Sequence, residues 1–153
     1  MEIRKLFIPL HAQVEIKIYM NPETGRKLKD SHSRISNDVS DMLFTRIIEA
    51  IGPGKAYRKP NYTAAQLARD LKTNPRYVSV AIATHTSGNF NQLINSYRLR
   101  EAYHMLRSSK YRSLSVEQIG LMCGFASRQA FYLAFHREQN MTPRQYRLQG
   151  TEG

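Results

Sequence analysis

Cysteine, acidic residues and long apolar runs are scarce in this sequence. The single cysteine, Cys123, excludes an internal disulfide and favours a reducing compartment. No apolar run comes near the roughly 18 residues that cross a bilayer. The first 20 residues interrupt their apolar side chains with Pro9, His11, Glu15 and Lys17, unlike a signal peptide. These absences predict a cytoplasmic protein without a membrane segment.

The sequence also lacks the residue clusters that carry enzyme chemistry. None of its five histidines pairs with another at the spacing of metal ligands, and no cysteine cluster accompanies them. It contains no glycine-rich phosphate loop, no nucleophile elbow and no paired carboxylates. We therefore expect a protein that is not an enzyme and needs neither metal nor cofactor. Cys123 is expected to be a small buried core residue and not a reactive thiol.

Basic residues outnumber acidic ones, and the surplus lies in one part of the chain. The 153 residues include 23 Lys and Arg against 12 Asp and Glu, a net charge of +11. Residues 55–149 carry 15 basic and 4 acidic side chains, whereas residues 1–54 carry 8 and 7. A solvated surface would spread the two signs more evenly, so this asymmetry predicts a polyanionic partner. Nucleic acid and anionic membrane both fit that description.

One motif in the basic part occurs twice. Thr63-x-x-Gln66-Leu67-Ala68 returns 52 residues later as Ser115-x-x-Gln118-Ile119-Gly120. After one inserted residue the correspondence continues 53 residues apart, in the pairs Asn74 and Ser127, Val78 and Phe131, and Ile82 and Phe135. Each copy begins with a capping box, in which a hydroxyl and a glutamine satisfy free N–H groups at a helix start. A turn and a second apolar-periodic helix follow, which is the order of a DNA-reading helix-turn-helix.

The pattern on either side of these two units is helical. Apolar residues at helical spacing predict a helix over residues 37–51, ended by Gly52-Pro53-Gly54. The units span about residues 63–86 and 115–139, and a linker helix of about 19 residues and about 28 Å joins them over about 90–108. Thr142 caps a last short helix. We predict an all-α fold of two helix-turn-helix subdomains joined by a long linker helix.

The chain divides at about residue 36 in this interpretation. Residues 37–149 form the DNA-binding domain, and residues 1–36 form an N-terminal extension or linker. Within the extension Val14, Ile16 and Ile18 alternate as in a strand, and residues 21–25 have the composition of a turn. A small hairpin, a linker and a remnant of something larger all fit these residues.

Several spaced elements of the sequence recur together in one known family. In the second half these are Arg98-Leu99-x-x-Ala102, Gly124-Phe125, Phe131-x-x-x-Phe135, Met141-Thr142-Pro143 and Tyr146-Arg147. The first unit adds Leu67-Ala68, Tyr77-Val78-Ser79 and Asn89-Phe90-x-x-Leu93-Ile94-x-x-Tyr97-Arg98. Together they resemble the DNA-binding domain of AraC-type (AraC/XylS) bacterial transcription regulators, over about residues 60–148.

The resemblance implies both an architecture and a function. It implies seven helices in two subdomains, with one recognition helix from each entering adjacent major grooves on one face of DNA. Promoter binding, activation and RNA polymerase as a partner are implied as well. Most members carry a separate effector or dimerisation domain, and residues 1–54 are too few for the usual cupin-like one. We therefore expect no small-molecule effector to bind within this chain.

Candidate DNA contacts in the second unit lie on its recognition helix. Arg128 and Gln129 occupy the first turn, where Arg can pair with guanine and Gln with adenine in bidentate fashion. Tyr132, one turn on, is placed to reach a thymine methyl group or a phosphate, and Leu133 follows it. Arg137, near the helix end, is better placed for the DNA backbone. The plain alternative for these side chains is a solvated surface.

The matching positions of the first unit hold weaker hydrogen-bond donors. Arg76, Ser79 and Val80 match Gln129, Tyr132 and Leu133. Arg76 is the strong donor of the three, for a base or for a phosphate. The second unit is therefore predicted to discriminate more between bases than the first. Tyr77 is predicted to be a packing residue.

Three further residues are candidates for phosphate contacts. Thr63 and Ser115 stand at helix N-termini, where a phosphate can accept backbone N–H bonds. Capping alone explains both residues equally well. Lys72, in the first turn, is predicted to contact phosphate without reading sequence.

These observations predict a sequence-specific double-stranded DNA-binding transcription regulator that acts at a promoter. One alternative is a DNA-binding output segment of a longer sensor or signalling protein, whose input lies outside this chain. Another, from a different class, is a basic interaction or membrane-surface module that uses the same charge on acidic proteins or lipids.

Overall fold

The computed structural model describes residues 36–150, and these residues form seven α-helices and no strand. The helices are α1 Asn37–Ile51, α2 Ala64–Asp70, α3 Pro75–His85, α4 Phe90–Arg107, α5 Val116–Met122, α6 Arg128–Gln139 and α7 Pro143–Gln149. The all-α prediction is confirmed. The strand-like pattern of the N-terminal extension lies outside the described residues.

The helices begin where the sequence places their caps. The three predicted capping boxes are present: Thr63 with Gln66, Ser115 with Gln118, and Thr142 with Gln145. A fourth, Asn89 with Gln92, starts the linker helix α4. Each box satisfies two N–H groups that would otherwise lack a partner at a helix start. Helices α1 and α3 begin and end at the predicted residues, and α4 has 18 residues.

The sequence repeat is reproduced in the backbone of the two turns. After α2, the amide of Lys72 donates to the Arg69 carbonyl (3.1 Å) and that of Thr73 to the Ala68 carbonyl (2.8 Å). After α5, the amides of Gly124 and Phe125 repeat these bonds at 3.0 and 3.1 Å, onto the carbonyls of Leu121 and Gly120. The turn residue has a positive φ in both units, 55° at Lys72 and 102° at Gly124. The two units therefore share one local structure.

Two hydrophobic cores form, one in each unit, and α4 belongs to both. The first core contains Ile47 and Ile51 of α1 together with Leu67 of α2 and Val78 and Ile82 of α3. The N-terminal half of α4 adds Phe90, Leu93 and Ile94 to this core. Its C-terminal half supplies Leu99, Ala102, Met105 and Leu106 to the second core, around Phe131 and Phe135. The linker helix is thus an integral part of both units.

The two units pack their paired helices with different side-chain sizes. In the second unit a Cβ placed on Gly120 would lie 2.4 Å from Cδ1 of Phe131, so the large ring fits because the glycine has no side chain. The matching residues of the first unit, Ala68 and Val78, are both buried. Ala68 is larger than Gly120 by one methyl group and Val78 is smaller than Phe131, so the first unit fills the same contact with two side chains that are closer in size.

The segment between α1 and α2 ties the two units together. Arg98 of α4, 9% exposed, donates from Nε to the Tyr57 carbonyl (2.7 Å) and from Nη2 to the Lys59 carbonyl (3.0 Å). The Arg98 guanidinium also lies 5.7 Å from the centre of the Phe125 ring, in the turn of the second unit. Gly124 packs against this segment too, since a Cβ there would lie 2.2 Å from the Tyr57 oxygen. We call residues 55–62 the connector.

An ion pair adds to the same contact. Arg58 of the connector pairs with Glu101 of α4, with Nε donating to Oε2 at 3.0 Å. Burial lowers the pKa of the nearby Arg98 guanidinium, because burial removes water from the charged form. The carbonyls of Tyr57 and Lys59 replace part of that water as hydrogen-bond acceptors. The sequence predicted a linker helix that joins the two units. The structure adds the connector as a second link between them.

Candidate nucleic-acid interface

Helices α3 and α6 are the second helices of the two helix-turn-helix units, and each has one buried side. In α6 the buried side chains are Phe131 and Phe135. At about 100° per residue, Leu133 lies about 200° from Phe131, on the opposite side of the helix. Gln129 and Arg137 are also exposed. These side chains form an outward stripe that is exposed to solvent.

Three of the five candidate residues in α6 belong to that stripe. Gln129, Leu133 and Arg137 are all exposed, and Leu133 presents 56% of an apolar surface to solvent. An exposed leucine between polar residues suits contact with the methyl group of thymine. His136 is exposed on the same side of the helix, and the sequence interpretation had not included it.

The other two candidates, Arg128 and Tyr132, face α5. The Tyr132 hydroxyl donates to Oε1 of Glu117 at 3.0 Å, and the Arg128 Nε lies 3.6 Å from the same oxygen. The Arg128 guanidinium stacks 5.1 Å above the centre of the Tyr132 ring. Three side chains from two helices thus share one contact, which we call the Glu117 cluster.

The carboxylate of Glu117 is held in its charged form. Its pKa is lowered by a hydrogen bond from its own backbone amide, then by the Tyr132 hydroxyl, and further by the positive charges of Arg128 and Arg144. The Glu117 side chain is 40% exposed, so the cluster is open to solvent and to an approaching ligand. Neither Glu117 nor Arg144 was among the residues that the sequence singled out.

The outward side of α3 is less polar than that of α6. Arg76 and Ser79 are exposed, whereas Val80 is half-buried. Thr84, one turn after Val80, is exposed and donates its hydroxyl proton to the Val80 carbonyl (2.7 Å). Tyr77, predicted to be a packing residue, is 38% exposed and lies outside the core. The buried stripe of α3 comprises Val78, Ala81 and Ile82, and Tyr77 lies beside it.

The three phosphate candidates are exposed at the ends of short helices. The Thr63 hydroxyl oxygen accepts from the amide of Gln66 (3.2 Å), and that of Ser115 accepts from the amide of Gln118 (3.0 Å). Both hydroxyls are therefore engaged in capping. Lys72 extends from the turn between α2 and α3 with an exposed side chain.

A groove between the two units holds polar residues that the sequence did not single out. It has a volume of about 290 Å³ and lies between the connector, the N-terminal half of α4 and the start of α6. Asn61, Asn91 and Asn95 line it together with Arg98 and Ala130. Asn91 and Asn95 are four residues apart on α4, which places them on one side of that helix. That spacing is the sequence signal that could have identified them.

Within residues 36–150 no group of three potential metal ligands lies together, and none of the helices is long and apolar enough to cross a membrane. Cys123 is fully buried, and burial raises the pKa of its thiol to about 12. The prediction that Cys123 is a core residue is confirmed.

Comparison with known proteins places this geometry in a family. The family model described as "Helix-turn-helix domain" matches residues 67–149, more than half of the chain. The chain belongs to this helix-turn-helix family. The matched range begins in α2 and runs to the end of α7, so it contains both recognition helices. The AraC-type resemblance is confirmed for this part of the chain.

Two curated relatives carry names of operon regulators. The chain is 25% identical over 117 residues to the xylose operon regulatory protein of Haemophilus influenzae, covering 76% of this chain and 30% of that protein. It is 42% identical over 64 residues to the urease operon transcriptional activator of Escherichia coli, covering 42% of this chain and 21% of the activator. The matched part therefore spans less than a third of either relative.

A solved structure shares the fold. It is a transcriptional regulator from Chromobacterium violaceum described by its AraC-type DNA-binding domain, with a TM-score of 0.59 and 22% identity. The match covers 73% of this chain and 97% of that one. At this identity the likeness concerns the fold, which has the same all-helical arrangement.

Proposed function

We propose that this protein is a sequence-specific double-stranded DNA-binding transcription regulator that places α3 and α6 in adjacent major grooves of a promoter site. The observation that carries the proposal is the presence of two matching helix-turn-helix units, fixed to each other by α4 and the connector. Each unit presents an exposed stripe on its second helix, the element that enters the major groove in this class. The surplus of basic residues over 55–149 supplies attraction to phosphate.

The residues of α6 divide by what they can contact. Gln129 can pair with adenine and Leu133 can pack on a thymine methyl group, while Arg137 is placed for phosphate. Arg128 starts the same helix and can pair with guanine. Its guanidinium stacks on the Tyr132 ring. We assign base recognition chiefly to these residues.

The first unit contributes more to positioning in this proposal. Arg76 is its strong donor, Ser79 a weaker one, and the half-buried Val80 offers only apolar contact. Thr63 and Ser115, at helix starts, and Lys72, in a turn, are assigned to phosphates, which fix the register on DNA without reading sequence.

We further propose that the protein acts in the cytoplasm at bacterial promoters, with RNA polymerase as its partner in activation. The name of one relative, a transcriptional activator, supports activation. We propose no cofactor, metal or small-molecule effector for this part of the chain.

Selection of binding sites from random duplexes tests the proposal. We expect enrichment of an asymmetric site with two separated elements, because the two units are tandem repeats in one chain. Failure to enrich any site would contradict sequence-specific binding. Competition with anionic vesicles serves as the control: vesicles that displace the protein from its selected site would favour a membrane-surface module.

The salt dependence of binding tests the electrostatic part of the proposal. Neutralising about six phosphates would give a slope of about −5 in a plot of log affinity against log salt. Affinity that hardly changes over a fourfold rise in salt would contradict this part.

A further inference from the structure

Glu117 is an acidic residue beside the recognition helix of a strongly basic unit. The acidic residues in 55–149 are Asp70, Glu101, Glu117 and Glu138. Asp70 accepts from the Tyr62 hydroxyl and Glu101 pairs with Arg58, so both have roles within the fold. Glu117, in the first turn of α5, accepts a hydrogen bond from its own backbone amide and also contacts two residues of α6 that are assigned to DNA.

The contacts of Glu117 restrain the start of the recognition helix. One carboxylate oxygen, Oε1, receives the Tyr132 hydroxyl proton and lies 3.6 Å from the Arg128 Nε. Arg128 is held from the other side by the Tyr132 ring, 5.1 Å from its guanidinium. The 68% exposed Arg128 side chain therefore has a carboxylate and an aromatic ring as neighbours, and both favour the directions in which it keeps these contacts.

The charge of Glu117 bears on what Arg128 can bind. Phosphates are present at every position of the duplex, so an unrestrained arginine on this surface would pair with them whatever the sequence. A carboxylate beside Arg128 repels phosphates and balances the arginine charge. A guanine edge presents neutral acceptors, which the carboxylate repels far less than it repels a phosphate.

We propose that Glu117 is a specificity-determining positioning residue, which restrains Arg128 and keeps it from phosphates so that it reads bases. This inference rests on the proposed function, since it requires that α6 faces duplex DNA. It assigns Glu117 no contact with a base. Its effect is exerted through Arg128.

The test is the variant Glu117→Gln, which keeps the shape and the acceptor for Tyr132 but removes the charge. Dissociation constants are measured for the selected duplex and for a scrambled duplex of equal length. One additional phosphate contact strengthens binding about fivefold at about 0.15 M salt and makes the salt slope more negative by about 0.9. We expect this change on the scrambled duplex and less than about a twofold change on the selected one, so discrimination falls at least about 2.5-fold.

A matched control separates this effect from a general loss of negative charge. Glu138→Gln removes the same charge from an exposed residue at the other end of α6. We expect it to change binding to both duplexes by the same factor. Equal behaviour of Glu117→Gln and Glu138→Gln would overturn the proposal.

A double-mutant cycle with Arg128→Ala tests the route of the effect. If Glu117 acts through Arg128, then Glu117→Gln leaves discrimination unchanged in the Arg128→Ala background. A loss of discrimination that persists without Arg128 would overturn the inference. Thermal unfolding of each variant, read by helical circular dichroism, shows that the compared proteins are folded.

The outcome for Glu117 is distinguishable from the outcome for the proposed function. If the wild-type protein enriches no duplex, the DNA-reading function itself fails. If the wild type discriminates between duplexes and Glu117→Gln discriminates equally well, the proposed function stands and this inference alone fails.

Discussion

Individual residues in the two units have adapted to different neighbours although the units share a backbone. The turn position with positive φ is Lys72 in the first unit and Gly124 in the second. A side chain fits at position 72 because that of Lys72 is exposed to solvent. At Gly124 the connector lies where a side chain would begin, so the second unit has no room for one.

Replacing Gly124 by Ala is expected to destabilise the protein by about 2–4 kcal/mol. The new Cβ would clash with the Tyr57 carbonyl oxygen, and the alanine backbone would have to adopt a positive φ. Denaturant unfolding measures the change. The matched variant Lys72→Gly should stay within about 1 kcal/mol of wild type, since the same φ is allowed there. Equal effects of the two substitutions would show that close packing of the connector against Gly124 does not contribute to stability.

The pair Gly120 and Phe131 gives a second prediction for stability. Gly120→Ala alone should cost about 1–3 kcal/mol by overpacking, and Phe131→Val alone should cost a similar amount through a cavity. The double variant recreates the Ala68 and Val78 pair of the first unit. Its loss should be clearly smaller than the sum of the single losses, measured by denaturant unfolding. Additive losses would mean that the smaller side chain at position 131 does not make room for the larger one at position 120.

A third prediction concerns the ranking of the DNA contacts. Arg128→Ala should cost about 1–3 kcal/mol on the preferred site and relax preference at one or two base positions, whereas Lys72→Ala should weaken all sequences alike. The measurement is binding to a panel of duplexes with single base changes. If Arg76→Ala alters the preferred sequence while Arg128→Ala lowers affinity evenly, the first recognition helix is the main reader.

Among the elements, the connector and the linker helix together determine how the two recognition helices are placed. The two halves of the 18-residue linker helix are packed into the two cores. The connector adds a second contact between the units, because it begins in the first unit and packs on Arg98, Glu101 and Gly124. The spacing of the recognition helices is therefore a property of several elements.

Weakening the connector should loosen this spacing. Arg98→Lys removes the planar group that donates to two carbonyls, which should cost about 1–3 kcal/mol because buried acceptors lose their partners. We also expect the variant to tolerate one base pair more or less between the two site elements better than wild type does. Binding to duplexes of altered spacing is the measurement. An unchanged spacing preference would assign the geometry to α4 alone.

The helices were predictable from the sequence because their signals are local. Caps such as Thr63 with Gln66, and apolar residues such as those of α1, act within one helix, so α1 and α3 begin and end as predicted. The connector was not predictable in the same way. Arg98 and Tyr57 are 41 residues apart, and no spacing rule indicates that they meet.

The candidate site was predictable only at the level of its helices. The exposure of Gln129 and Arg137 follows from the helical period. Arg128 lies beside Glu117, a residue in the first turn of the neighbouring helix that follows no motif. Such pairwise contacts appear only when the two helices are placed against each other.

The whole molecule combines a net charge of +11 with two helix-turn-helix units in tandem along the chain. Under the proposed function, the charge gives general affinity for duplex DNA, and the two units give a site with direction and spacing. A monomer of this kind should read an asymmetric site, because its two units differ in the residues they present: Arg76 and Val80 in one, Gln129 and Leu133 in the other.

The most direct test of this account is the affinity of the protein for its selected site before and after insertion of five base pairs between the two elements. Half a helical turn moves the second element to the opposite face of the duplex. Because α4 and the connector fix the units, we expect affinity to fall at least about tenfold, toward that of a site with one element. A ten-base-pair insertion serves as the length control. Unchanged affinity after the five-base-pair insertion would show that only one unit engages DNA.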